Sequence, residues 1–259
     1  MAHEIKTGRY CARITVEADT PLKIGCGNID LTIDSPVIKD VNNLPFIPGT
    51  SLAGVLRHSL PGKIDDDHLN ELFGYTKENK DEGKGSCIIF SHAHLVLSKN
   101  RVAEGLLSNI NSDEQAFIKR MQNLPVRDHC RINHRGAADT KGHAKFDEEI
   151  VYKGSRFVFE LEIIKDNPGP VLIDELIQTL NTPDFRIGGG TRRGFGRLRI
   201  VEICERDYDL TSEVDLMAYL DKSASLNQLP GDFKKREVNV NTNSPDITLS
   251  LKPKDFWVF

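Results

Sequence analysis

Arg186-Ile187-Gly188-Gly189-Gly190-Thr191-Arg192-Arg193-Gly194-Phe195-Gly196-Arg197-Leu198-Arg199 runs straight into Ile200-Val201-Glu202-Ile203, and the residues after the glycines decide the fold class. Five arginines and five glycines share the first fourteen positions with no acid, so the segment suits close approach to phosphate. A P-loop needs Gly-Lys-Ser/Thr opening a helix, and a dinucleotide fingerprint also needs a helix after its glycines. Here the continuation alternates polar and apolar residues with period two, which predicts a strand with one buried face. The phosphates are therefore those of a polymer lying across a sheet, and no nucleotide cofactor is expected. The plainer alternative is a tight turn into a strand whose arginines face water.

Working outward, Arg9 to Glu17 alternates as a strand with Ala12, Ile14 and Val16 on one face. Ser51 to Leu60 reads as a helix burying Leu52, Val55 and Leu56. Pro48-Gly49-Thr50-Ser51 supplies turn chemistry and a hydroxyl N-cap, and Arg57 sits toward the end favoured by the helix dipole. Ser86 to Leu97 and Arg156 to Ile164 read as strands, Val171 to Leu180 as an amphipathic helix, and Arg197 to Cys204 as the last strand. The order β-α-β-β-α-β predicts an α+β, ferredoxin-like (RRM-like) palm, with two helices on one face of an antiparallel sheet and the other face open to a ligand. Few exposed-looking aromatics fall on the strands, so backbone contacts and insertions are expected to outweigh base stacking.

A chain of 259 residues that is 39% hydrophobic can bury one large core or two small ones. No run reaches the length of a membrane span, and Met-Ala-His-Glu-Ile-Lys is no signal region, so no membrane partner and a cytoplasmic location are expected. Five scattered cysteines without CxxC spacing fit reduced thiols. The net charge of −4 does not exclude a polyanion partner, because the charge is segregated. Acid gathers in Asp65-Asp66-Asp67, Asp147-Glu148-Glu149 and Glu202 to Asp221. Base gathers in Lys119 to Lys145 and in the arginine loop.

The expected organisation is a palm over 1–205 interrupted by a 25–50 loop and a 99–144 insertion, a linker or tail over 206–246, and a terminal strand over 247–259. Insertions of that length are usually functional. Val126-Arg127-Asp128-His129-Cys130-Arg131-Ile132-Asn133-His134-Arg135 reads as a projecting, cation-rich hairpin or thumb. His129, Cys130, His134 and His143, with His92 and His94 on a strand, are zinc-ligand types, but none has the CxxC or tight HxxxH spacing. Contact with RNA or solvent is the other reading. Ile247 to Phe259 resembles the opening Ile14 to Ile24, which fits either the start of a second module in a tandem fusion or a strand folding back on its own sheet.

Five motifs occur in one order: Ile33-Asp34-Ser35-Pro36-Val37-Ile38-Lys39-Asp40; Leu44 to Arg57 with Phe46-Ile47-Pro48-Gly49-Thr50-Ser51; Phe73-Gly74; Phe146-Asp147-Glu148-Glu149; and Gly188 to Gly196. As an ordered set over roughly residues 10 to 205 they resemble the repeat-associated mysterious proteins, the RAMP superfamily, of the backbone type that lines guide RNA in type III CRISPR effector complexes. The resemblance implies a palm, a thumb that props the guide–target duplex apart, and head-to-tail neighbouring subunits forming a filament along a guide CRISPR RNA and its complementary target. It assigns RNA phosphate contact to Gly188, Gly189, Gly190, Arg192, Arg193, Gly194, Gly196 and Arg197. Ser51 and Arg57 of the first helix, and Arg127, Arg131, His134 and Arg135 of the thumb, join them. Ala53 departs from the lysine common in the family. The resemblance makes Asp34 the catalytic residue of a target-RNA endoribonuclease, working with a divalent metal, Mg2+ or Mn2+, while Asp30 and Asp40 are minor candidates. By itself, an aspartate before Ser-Pro is also a good turn former. Two alternatives stand: a non-catalytic RNA scaffold, and a CRISPR RNA-processing endoribonuclease with His58 as its base.

Overall fold

The computed structural model of the chain describes residues 6–27, 33–76, 83–139, 144–165 and 170–238. Asp30, His143 and the 247–259 segment lie outside them. In chain order the elements are β1 (Gly8–Ala18), α1 (Gly49–Ser59), α2 (Asp66–Phe73), β2 (Tyr75–Thr76), β3 (Gly83–Lys84), β4 (Ile88–Phe90), β5 (His94–Leu95), α3 (Ser112–Gln122), β6 (Val126–Cys130) and β7 (Lys145–Glu149). They are followed by β8 (Arg156–Lys165), α4 (Pro170–Leu180), β9 (Leu198–Asp209), α5 (Glu213–Leu220) and β10 (Lys234–Lys235). The class is α+β with antiparallel sheets.

Alternation along β1 puts Tyr10, Ala12, Ile14, Val16 and Ala18 on one face, all buried. That face packs with Leu52 and Leu56 of α1 and Leu176 and Leu180 of α4, and with Phe157 and Phe159 of β8, in one core. β1 lies centrally, antiparallel to β8 and β9, in the order β10-β9-β1-β8-β4, with β5 also on β8. The register pairs Glu17 with Arg156 and Ala18 with Leu198, so β1 leaves the sheet at the end where β8 and β9 enter.

The second face of the sheet is not open. β9 runs five residues past the expected end at Cys204, and the segment read as a linker from 206 folds over the sheet as α5, β10 and the chain between them. Cys11, Cys204, Tyr208 and Phe233 are buried together beneath it. Arg13, 6% exposed, donates to Gln228 O at 2.7 Å and to Glu160 Oε2 at 3.0 Å. Lys222 also pairs with Glu160, and the Tyr219 hydroxyl donates to Glu162 at 2.7 Å. Charges this buried persist only when paired, and these pairs fasten the C-terminal segment across the face where a ligand was expected.

Three local expectations also change. The strand over Ser86 to Leu97 is broken into β4 and β5, because Ser91 Oγ accepts the Glu160 N–H at 2.8 Å and interrupts the ladder. Helix α1 starts at Gly49 without a side-chain cap, and Ser51 is already inside it. The Gly49 N–H donates to His92 Nδ1 at 3.1 Å, and a Cβ at this position would lie 2.4 Å from Phe90 O, so only glycine fits. The Asp65-Asp66-Asp67 run is a helix start, with Asp65 accepting the His68 N–H at 2.9 Å and Asp66 and Asp67 in the first turn of α2.

Candidate nucleic-acid interface

The arginine loop rises from the sheet end where β9 begins. Arg186 and Arg197 bridge across its base, and the Arg186 guanidinium donates to Gly194 O at 2.9 Å and Phe195 O at 3.2 Å, closing it. Gly188, at φ 82°, would place a Cβ 2.2 Å from Lys23 O, so the loop backbone lies against the chain leaving β1. Several of its amides are engaged internally. Gly189 N–H donates to Lys23 O at 2.7 Å, Gly194 N–H to Thr191 O at 3.1 Å and Gly196 N–H to Pro21 O at 3.0 Å. What the loop presents outward is therefore mainly side chain.

The Asp34 loop is stitched to β7. Asp34 Oδ2 accepts the Asp147 N–H at 3.0 Å, Ser35 O accepts the Glu149 N–H at 3.1 Å, and Glu149 Oε2 accepts the Val37 N–H at 3.0 Å. Lys39 closes the stitch on Glu149 Oε1 at 2.7 Å. Asp34 is thus exposed yet held on a fixed backbone, and its Oδ1 accepts no hydrogen bond from the described residues. Asp40 differs in that it serves its own turn, where its Oδ1 accepts the Asn42 and Leu44 N–H groups.

Glu148, fully buried, joins three segments at this point. Lys23 Nζ, from the chain after β1, lies 2.5 Å from Oε2, and Arg193 Nη2, from the arginine loop, lies 2.8 Å from the same atom. His129 Nε2 of the thumb is 2.8 Å from Oε1, close but off the direction of a good hydrogen bond, and its ring stacks on Phe146 at 5.1 Å. Burial opposes ionisation of Glu148, but the hydrogen bonds and charges of Arg193 and Lys23 outweigh it and hold its pKa down at about 2. Such a carboxylate contributes stability that is complete above its unfolded pKa of about 4.3 and is lost as pH falls toward the folded value, on the order of 3 kcal/mol in all. Acid unfolding followed by circular dichroism between pH 4.5 and 2 is therefore expected to flatten in Glu148→Gln. An unchanged slope would mean that Glu148 does not carry it.

Other candidates are dispersed. Arg127 and Arg193 each place a guanidinium by the Phe195 ring, at 5.3 and 5.5 Å. Arg192 is exposed and has no ion-pair partner among the described residues, whereas Arg197 pairs with Asp19 at 3.1 Å. Arg131 pairs with Asp139 at 2.9 Å beyond the β6–β7 ladder, and His134 and Arg135 are exposed in the turn at its tip. Ser51 and the arginine loop are not neighbours in the sheet. α1 starts beside β4, and three strand spacings, roughly 14 Å, separate β4 from β9. Arg57 is turned to Gly74 O at 2.9 Å. Glu148 and Lys23 were absent from the sequence-based set of RNA-contact residues, and only the adjacency of the acids at 148 and 149 to apolar Ile150 and Val151 hinted that they are buried.

The described residues contain no group of three or more His, Cys, Asp or Glu side chains placed to share a metal ion. His92 and His94 instead cluster with the Phe46 ring, at 5.3 and 6.3 Å. One exposed carboxylate with an uncommitted oxygen is a donor set for a magnesium that keeps most of its water and takes further oxygens from phosphate, and not for a closed protein cage. No helix among the described residues is long and apolar enough to cross a membrane.

The model of the RAMP superfamily matches residues 15–199. The chain is 30% identical over 214 residues to the CRISPR system Cms endoribonuclease Csm3 of Streptococcus thermophilus, covering 73% of this chain and 85% of that protein. It is 26% identical over 254 residues to the protein of the same description from Methanocaldococcus jannaschii, covering 91% and 97%. Among solved structures, a chain of the type III-B Cmr-beta complex bound to cognate target RNA superposes with TM-score 0.55 at 16% identity, covering 73% of this chain and 96% of that one. A chain of the same complex in its apo state gives 0.53 at 16% identity, covering 74% and 97%. At that identity the likeness speaks for the fold.

Proposed function

This chain belongs to the RAMP superfamily, as a backbone subunit of the type III CRISPR kind, and we propose that it lines a guide RNA and cuts the complementary target RNA through Asp34. The strand order β9-β1-β8-β4 supports reading the core as the ferredoxin-like palm, and the β6–β7 hairpin as its thumb. The carrying observation is the stitch between the Asp34 loop and β7. It holds one exposed carboxylate rigidly beside the strand whose next residue, Glu148, anchors the arginine loop.

In the proposed reaction, Asp34 Oδ1 takes the proton of the 2′-hydroxyl next to the scissile phosphate. The 2′-oxygen attacks phosphorus, the bond to the 5′-oxygen breaks, and the products are a 2′,3′-cyclic phosphate and a 5′-hydroxyl once that oxygen takes a proton from water. Asp147 N–H orients the carboxylate by holding Oδ2. In the alternative role Asp34 Oδ1 would instead help hold a divalent Mg2+ or Mn2+, which would offset the negative charge that builds on the phosphate oxygens. Arg192, and Arg127 beside Phe195, would hold phosphates of the RNA path. The bond from Asp147 is also what a purely structural loop aspartate makes, and it favours the scaffold reading as the second choice. The processing-enzyme reading is weaker, because His58 is exposed in the last turn of α1 without a hydrogen-bond partner among the described residues to orient it as a base.

Purification of the assembled complex tests the role directly: a discrete RNA of guide length should accompany this chain, and its absence would remove the RNA-lining role. Arg192→Ala is expected to weaken RNA retention and to lower the slope of log affinity against log salt by about 0.7 for the lost single-strand contact. An unchanged slope would take Arg192 off the RNA path. Arg193→Ala should differ, lowering stability as well, because its guanidinium is bound to buried Glu148.

A further inference from the structure

A cavity of about 690 Å³ lies between α3 and the Tyr152–Ser155 turn that leads into β8. Its wall combines two aromatic rings, Phe117 of α3 and Tyr152 of the turn, with the cationic side chains of Arg120 and Lys153, and none of its lining side chains among the described residues is acidic. Arg156 also lines it but is engaged with Glu17 at 2.7 Å. Arg120 and Lys153, by contrast, are exposed and have no ion-pair partner among the described residues, so two positive charges face the cavity unopposed.

Ser98 and Ser155 also belong to the wall, but their hydroxyl oxygens are buried away from the open space. The space is far larger than inorganic phosphate fills, and rings beside unopposed cations match a flat base carrying a phosphate.

We propose that this cavity binds a phosphorylated nucleoside, with its base on the Phe117 and Tyr152 rings and its phosphate at Arg120 and Lys153. The nucleoside comes either from an unpaired residue of RNA or from a free mononucleotide. The Ser155 carbonyl accepts the Ala18 N–H at 2.8 Å, which places the cavity at the end of the sheet from which the arginine loop also rises, within reach of a strand that follows that loop. The proposal stands on the cavity's own chemistry and does not depend on whether Asp34 cuts.

Isothermal titration calorimetry of the full chain with adenosine 5′-monophosphate, adenosine and inorganic phosphate tests it. The monophosphate should bind at least about 10-fold more tightly than either fragment, and Arg120→Ala with Lys153→Ala should weaken it about 10-fold or more. No binding of the monophosphate, binding indifferent to the double substitution, or phosphate as tight as the nucleotide would each overturn the site. Displacement of the monophosphate by a short oligoribonucleotide in an Arg192→Ala chain assigns the ligand to RNA, and failure to displace it assigns a free nucleotide.

Discussion

Asp34→Asn, assembled with guide RNA, should keep its guide and its complementary target yet cut the target on the order of 100- to 10 000-fold more slowly than the wild type. Asparagine retains a carbonyl oxygen for the Asp147 N–H, so the stitch to β7 survives while the charge and the proton acceptor are lost. That separates chemistry from architecture: an interaction needed only in the transition state lowers the rate without weakening binding. Single-turnover cleavage beside filter binding measures both quantities. Cutting at the wild-type rate would reduce Asp34 to a turn residue, and loss of target binding in step with cutting would make it a binding residue.

Glu148→Ala should be the most damaging single substitution to stability in this region, at about 3–5 kcal/mol, because it strands the cations of Lys23 and Arg193 beside a buried void. Urea denaturation gives the number. Glu148→Gln keeps the volume and should lose less. Adding Lys23→Met to Glu148→Ala should recover part of the loss, since removing both partners of a buried pair is milder than removing one. A Glu148→Ala chain within about 1 kcal/mol of the wild type would mean that the three segments do not meet through this carboxylate.

The regular elements were legible because they obey short-range periodicities. Ala12, Ile14 and Val16 alternate, Leu52, Val55 and Leu56 recur at helical spacing, and the period-two run after the glycines separated a strand from a phosphate-binding helix. What escaped depends on partners far away in sequence. Glu148 and Glu149 sit in an acidic run that locally reads as a solvated surface, yet Lys23 and Arg193 meet the first and Lys39 and Val37 N–H the second. Ser51 looked like the cap of α1, but His92, more than forty residues on, takes the Gly49 N–H. The closed second face was hidden for the same reason: Arg13 and Glu160 look like polar outward positions until the segment carrying Lys222 and Gln228 folds onto them. The arginine loop was recognisable as a cationic loop. Its division into Arg192, facing outward, and Arg186, Arg193 and Arg197, committed to the loop, Glu148 and Asp19, required the structure.

The most direct test of guided target cutting is to incubate the assembled wild-type complex with end-labelled complementary RNA and magnesium and to map every cut. Cutting through Asp34 at each subunit of a filament predicts a ladder of products at regular spacing within the paired region, ending in cyclic phosphate, absent with a non-complementary RNA and absent with Asp34→Asn. Intact target RNA, or cuts that fall irregularly and persist in Asp34→Asn, would contradict it.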